Sequence, residues 1–330
     1  MEYDISVIGA GSWGTVLANL LGEKGLKVLL WGFETDVVED IRTSRINHTY
    51  MPALRVSEMV TPTQDISEAA KGSPIILLVV PTQFVRGVLS KMLPYAASDV
   101  VIVTAIKGIE KGTLKTVSEI IKEYCKHEMA VLSGPSFAAE VAARKPTAVT
   151  LGVLDTSRGH HLQEIFNTEY FRVYTHDDML GIELGGALKN VIAIAAGISD
   201  GLELGLNARA ALITRGLAEI TRLGVKLGAS ERTFSGLSGM GDLVLTCTGR
   251  LSRNYNVGVR LAKGQKTVDI VSEMRCVAEG IETSHSAFAL SKSAQVEMPI
   301  VEQVYKVIHE GKCPSEAVHE LMNRQLRKEF

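Results

Sequence analysis

The chain has 330 residues, enough for two domains of ordinary size and for a core that needs no disulfide or metal to hold it. Hydrophobic residues make up 46% and charged residues 22%, which excludes disorder and low complexity for the bulk of the chain. With 35 basic and 37 acidic residues the formal net charge is -2, so no global basic field recruits nucleic acid or an anionic membrane.

In chain order, the first half alternates short runs dense in Val and Ile with segments of helical length. Residues 5–8, 27–31, 75–80, 100–104, 130–133 and 148–151 are mostly continuous apolar runs, as strands covered on both faces are. A helix is expected over 13–24, between the first two runs. Strand, helix, strand, repeated, predicts a doubly wound parallel sheet. After about Thr175 strand-like runs nearly vanish, and Ala, Leu, Glu, Lys and Arg recur at helical spacing over 208–223, 268–274 and 302–308. The expected architecture is therefore an α/β domain over 1–180 followed by an all-helical domain over 181–330.

The apolar stretches 75–80 and 191–198 fall short of the roughly 18–20 residues of a membrane span. The chain opens Met-Glu-Tyr-Asp and reaches Gly9 without the pattern of a secretory leader. The four cysteines, Cys125, Cys247, Cys276 and Cys313, form no CxxC pair, which points to a reducing cytosol and away from zinc, a redox dithiol or a disulfide framework. A cytoplasmic protein without a metal centre is expected.

The first motif with chemistry in it is Gly9-Ala10-Gly11-Ser12-Trp13-Gly14, a GxGxxG between a strand and a helix. Gly9 permits a tight turn, Gly11 lets backbone approach a pyrophosphate, and Gly14 lets the helix pack closely. The amides and positive dipole end of the helix then receive phosphates, so a dinucleotide is the expected ligand. An acid that grips ribose hydroxyls is expected at the end of the second strand. Gly32 stands there instead, with Glu34 slightly beyond and no Arg following to hold a 2′-phosphate, so this loop leaves NAD and NADP both open.

Histidine is a frequent acid–base residue, but all eight here lie on largely polar stretches, and most read as solvated surface. Lysines carry more. Lys107 follows the run 100–104, which puts it at a strand's carboxyl end, where open α/β sheets bind ligands; an ordinary loop lysine is the alternative. Lys189 follows Gly185, Gly186 and Ala187, small residues that allow a helix to approach another surface, and precedes the apolar stretch 191–198. A lysine in so apolar a setting either snorkels or functions, and desolvation beside a second cation would make it a usable acid–base group. Farther on, Gly239-Met240-Gly241-Asp242 sets an acid beside glycine. Arg250 and Arg253 flank Ser252 and precede Asn254, a set of donors suited to phosphate oxygens or, alternatively, a solvated basic loop.

Taken together the motifs identify a family. GAGSWG at 9–14, VVPTQF at 79–84, AIKG at 105–108, SGPSFAAE at 133–140, GGALKNVIAIAAGISDG at 185–201, NARAALITRGLAE at 207–219, GMGDLVLTC at 239–247 and SRN at 252–254 resemble the soluble bacterial NAD(P)-dependent glycerol-3-phosphate dehydrogenases. The resemblance implies a Rossmann-type domain followed by a helical one. It implies reversible reduction of dihydroxyacetone phosphate to sn-glycerol 3-phosphate with NAD or NADP, supplying glycerophospholipid synthesis. It assigns proton transfer to Lys189, with Lys107, Asn190, Asp242 and Thr246 around the reacting carbon. Gly134, Ser136, Ser252, Arg253 and Asn254 would hold the substrate and its phosphate, joined by Lys107, Lys189 and Asp242. Ser12, Trp13, Phe33, Phe84, Lys107 and Ala138 would line the cofactor, with Arg253, Val277 and Glu279 contributing from the helical domain. Phe33, at a position often basic or His in the bacterial family, resembles the NAD-using eukaryotic form. A homodimer is implied as well. The related 3-hydroxyacid and 6-phosphogluconate dehydrogenases share the layout, but AIKG and SRN point away from them.

Overall fold

A computed structural model of the chain describes residues 2–274, 277–326 and 328–329. The chain divides into two compact units, Met1–Lys107 with Lys115–Glu183, and Gly108–Leu114 with Leu184–Phe330.

The strands of the first unit are β1 (Ile5–Ile8), β2 (Val28–Trp31), β3 (Ile46–Asn47), β4 (Met51–Arg55), β5 (Val60–Thr63), β6 (Ile75–Leu78), β7 (Val101–Thr104), β8 (Met129–Ser133), β9 (Thr147–Val153) and β10 (Phe171–His176). Eight of them form one sheet in the order β10-β9-β8-β7-β6-β1-β2-β5, while β3 and β4 pair separately. Val7 of β1 lies opposite Leu30 of β2 on one side and Leu77 of β6 on the other. The continuous apolar runs are explained by two cores rather than one. Val7, Val28, Leu30, Leu77 and Val103 enter a cluster on one face. Ile8, Leu29, Trp31, Ile76, Leu78 and Ile102 enter another on the opposite face. Alternate side chains point to opposite faces of a strand, so a sheet buried on both sides needs apolar residues at every position.

The Rossmann-type sheet has three features the sequence pattern did not reveal. It is not parallel throughout: β9 runs antiparallel to β8, and β10 is parallel to β9. Neither β5 nor β10 was anticipated. β5 reads Val-Thr-Pro-Thr, and its proline is tolerated because the strand lies at the edge of the sheet. β10, at the other edge, alternates buried Phe171 and Val173 with exposed Arg172 and Tyr174, so it lacks the solid apolar run of a central strand.

The second unit is built from helices, the longest being Met179–Gly201 and Gly205–Lys226. The first of these begins within the first unit. Asp178 accepts the Gly181 amide at its start, and the Glu183 carboxylate accepts both the amide and the hydroxyl of Ser118. Burial pushes the Glu183 carboxyl up from its ordinary range. Met179–Gly201 is long and apolar enough to cross a membrane, which the shorter stretch read from sequence did not suggest, but 94% of its apolar window is buried inside the protein. Further helices follow at Asp242–Thr248, Arg253–Ala262, Glu279–Ser293, Pro299–His309 and Pro314–Met322. Proline opens the last two, where the missing N–H costs no intrahelical bond. Of the cysteines, Cys125, Cys247 and Cys313 are free thiols, and Cys276 lies outside the described residues.

Candidate active site

Because β1, β2, β6, β7 and β8 are mutually parallel, their carboxyl ends share one edge of the sheet, and the segments that follow them gather there. After β1, Gly9 adopts φ +121, and a Cβ there would stand 2.5 Å from the Val79 carbonyl oxygen. At Gly14 a Cβ would stand 1.8 Å from the Gly9 oxygen, so the helix Ser12–Glu23 starts directly on the loop's own backbone. Gly11 differs from both, since a Cβ there would meet nothing within 4 Å. Gly9 and Gly14 are thus required by the protein itself, whereas the space beside Gly11 is open for a ligand. Gly11 caps the helix without a side-chain hydrogen bond, which leaves the helix's positive end for an anion. The residues present therefore fit a dinucleotide.

Along the same edge, Phe33 follows β2 and Phe84 closes the short turn Thr82–Phe84 after β6; they are 75% and 61% exposed. Both aromatic faces are open to solvent. Trp13 is held differently, its indole half-buried and tilted against Phe171 with ring centroids 6.4 Å apart. Ala138 opens the short helix Ala138–Ala142 and packs on the sheet's core. Lys107 and Gly134 follow the adjacent strands β7 and β8. Lys107 Nζ donates to the Gly134 carbonyl at 2.9 Å, and Ser136 Oγ donates to the same oxygen at 2.9 Å. The residues from AIKG and SGPS thus converge on the Gly134 carbonyl oxygen.

In the helical unit, Lys189 and Asp242 form a buried ion pair. Lys189 Nζ lies 2.5 Å from Asp242 Oδ1 and 2.7 Å from Thr246 Oγ1, with the lysine and aspartate side chains only 8% and 2% exposed. Thr246 Oγ1 also donates to the Asp242 carbonyl at 2.6 Å, which ties it to the first turn of its helix. A carboxylate and a hydroxyl thus meet the Lys189 ammonium within the helical unit. Gly185 explains how the elements come so close: a Cβ there would be 2.8 Å from the Ser238 oxygen, in the turn leading to Asp242. Cys247, next to Thr246, has its thiol pushed up to about 12 by burial, which disfavours the reactive thiolate.

Ser252 caps the helix Arg253–Ala262 by accepting the Tyr255 amide, so it serves the fold as well as any ligand. Arg253 is exposed at the first position of that helix. Asn254 is buried, and its Oδ1 accepts the Gly280 amide at 3.0 Å. That bond assigns the side-chain oxygen as acceptor and the amide nitrogen as the remaining donor. A Cβ at Gly280 would stand 2.7 Å from the Asn190 oxygen and 2.8 Å from Asn254 Oδ1, so this glycine lets Asn190, Asn254 and the helix after Glu279 meet. Val277 is 45% exposed and Glu279 is half-buried at that helix's start.

Three groups were not anticipated. Asp200 Oδ2 accepts from Arg209 at 2.6 Å and from the Tyr255 hydroxyl at 2.7 Å, bracing the helix that carries Arg253 and Asn254. Tyr255 directly follows SRN, which was the available signal. Glu34 accepts the Tyr50 hydroxyl at 2.9 Å beside the glycine loop. His285 and His309, on stretches that read mostly as surface, pack edge-on to each other and tilted against Tyr305 in the helical unit.

Two family models together span most of the chain. Residues 4–158 match the family model described as NAD-dependent glycerol-3-phosphate dehydrogenase N-terminus, and residues 178–319 match the corresponding C-terminus. The glycerol-3-phosphate dehydrogenase [NAD(P)+] of Citrifermentans bemidjiense is 53% identical, covering 100% of this chain and 99% of the relative. The protein of the same description from Myxococcus xanthus is 52% identical over 98% of each. Among solved structures, the glycerol-3-phosphate dehydrogenase of Coxiella burnetii superposes with a TM-score of 0.95 at 41% identity, covering 98% of this chain and 99% of that one.

Proposed function

Since the chain belongs to the NAD-dependent glycerol-3-phosphate dehydrogenase family and is an NAD(P)-dependent oxidoreductase, we propose how its own residues divide the work of reducing dihydroxyacetone phosphate. Residues 1–180 carry most of the groups for the cofactor and residues 181–330 most of those for the substrate and the proton. Gly9, Gly11, Ser12, Trp13 and Gly14 hold the pyrophosphate of NAD or NADP, and Phe33, Phe84 and Ala138 line its rings, with Lys107, Arg253, Val277 and Glu279 completing its surroundings. Bound in reduced form, the cofactor supplies the hydride that C2 of the substrate accepts.

Lys189 delivers a proton to the ketone oxygen and takes it back in the reverse direction. Its ammonium is held by Asp242 and Thr246 before any substrate arrives, so little reorganisation is needed as negative charge develops on that oxygen. Lys107, fixed to the Gly134 carbonyl, adds a second cation, and Asn190 helps orient the reacting carbon. Ser252, Arg253 and Asn254, with Gly134 and Ser136, hold the substrate and its phosphate; for so small a substrate this positioning supplies much of the rate. The product, sn-glycerol 3-phosphate, is proposed to feed glycerophospholipid synthesis in the cytoplasm.

The observation that carries this reading is the buried Lys189–Asp242–Thr246 group. The test is absorbance-monitored oxidation of NADH, then of NADPH, with dihydroxyacetone phosphate. Oxidation that depends on the substrate is expected. Folded protein that binds NADH but oxidises neither cofactor would refute the reading. A homodimer is proposed as the working assembly, as the family resemblance implies. Light scattering after size exclusion measures it directly.

A further inference from the structure

Gly32 occupies the position where an acid would grip the adenosine ribose, and the structure shows why no side chain stands there. A Cβ on Gly32 would be 2.7 Å from Val38 Cγ2 and 3.1 Å from the Cβ of Ala10, inside the glycine loop. The next charged residue is Glu34, which precedes the helix Thr35–Ser44. Its carboxylate accepts the Tyr50 hydroxyl at 2.9 Å. Tyr50 is itself bound to the loop that receives the cofactor: its carbonyl accepts Ser12 Oγ at 3.2 Å, and its amide donates to Asn47 Oδ1 at 3.0 Å. Asn47 in turn donates to the Ala10 carbonyl at 2.9 Å and to Thr15 Oγ1 at 2.8 Å. A chain of hydrogen bonds therefore holds Glu34 in a set relation to the glycine loop, and residues 32–38, Gly-Phe-Glu-Thr-Asp-Val-Val, contain no Lys or Arg.

We propose that Glu34, positioned by Tyr50, is the acid that reads the adenosine ribose and biases this enzyme toward NADH over NADPH. The inference rests on the cofactor site proposed above. A ribose hydroxyl can donate to the carboxylate, whereas a 2′-phosphate brings like charge against it with no cation in the segment to offset the repulsion. Tyr50 acts as a positioning residue, since its hydroxyl restrains the carboxylate.

The test compares NADH and NADPH in wild type, Glu34→Gln and Tyr50→Phe, by nucleotide Kd from nicotinamide fluorescence and by kcat/KM. Gln keeps a carbonyl acceptor for Tyr50, so the local packing survives while the charge is removed. The wild-type NADPH:NADH ratio of kcat/KM is expected below one. It should rise at least about fivefold in Glu34→Gln, the factor produced by roughly 1 kcal/mol of repulsion between partly solvated charges. Tyr50→Phe should move the ratio in the same direction by less. Discrimination by wild type should also shrink at high salt, as charge repulsion does. A purely structural role would weaken both nucleotides together and leave the ratio still. A shift under about twofold in folded, active Glu34→Gln overturns the inference, because that is within what charge-independent packing changes produce. A Gly11→Asp variant separates the two levels of the argument. If it keeps full affinity for both nucleotides, the cofactor site lies elsewhere and the assignment of Glu34 falls with it.

Discussion

Replacing Lys189 by Met removes the ammonium while keeping most of the side chain's volume, and it should act on two measurable quantities at once. The first is stability. Lys189 and Asp242 are almost wholly withdrawn from water, with side chains 8% and 2% exposed. Losing the ammonium leaves a buried carboxylate without the cation that faces it at 2.5 Å. Breaking a buried pair in this way costs about 3–5 kcal/mol. At 2–4 °C per kcal/mol for units of this size, the melting temperature should fall by roughly 6–20 °C. Adding Asp242→Asn, which has the same shape without the charge, should restore more than half of the loss. The second quantity is turnover, which should drop by about two to four orders of magnitude through loss of the general acid and remain low in the double variant. Calorimetry and substrate-dependent NADH oxidation report the two separately. The reasoning fails if Lys189→Met is as stable as wild type, if Asp242→Asn adds no recovery, or if turnover is unaltered.

Other variants probe other parts of the structure. Gly14→Ala should fail to fold properly, because its Cβ would fall 1.8 Å from the Gly9 oxygen, whereas Gly11→Ala should melt like wild type and yet bind NADH more weakly; equal melting of the two would contradict the division between structural and ligand-facing glycines. Arg253→Ala should chiefly raise the KM for dihydroxyacetone phosphate, and a change confined to the NADH Kd would restrict the guanidinium to the nucleotide and remove it from the substrate site. Glu219 accepts the amides of Ile300 and Val301 at the start of the helix Pro299–His309, and burial pushes its carboxyl from 4.5 to about 7. The folded protein therefore holds this proton more tightly than the unfolded chain. The resulting stability is fully present below pH 4.5 and is lost as pH rises through about 7. Glu219→Gln should accordingly gain stability relative to wild type as pH climbs through that window, and parallel melting curves would reject the assignment.

Several parts of this protein were legible in the sequence because the responsible interactions are local. Continuous apolar runs identify central strands, since both faces of each are buried. GxGxxG marks a tight strand-to-helix turn because its demands fall within six successive residues: Gly9 has the positive φ, and Gly9 and Gly14 the close contacts, that such a turn requires. The strands that do not repeat this pattern were missed for the same reason. β5 contains a proline that only an edge tolerates, and β10 has one face in solvent.

What the tertiary structure alone decided depends on residues far apart in the chain. No local rule predicts that Lys189 meets carboxylate and hydroxyl partners 53 and 57 positions away; Asp242 and Thr246 were named through the family resemblance, and their geometry came from the packing of two helices. The antiparallel turn of β9, the membership of Gly108–Leu114 in the helical unit, and the restraint of Glu34 by Tyr50 are of the same kind. Periodicity records which face of an element is buried. Which groups meet across that buried face is set by how the elements pack, and the chemistry of Lys189 and Glu34 depends on those meetings.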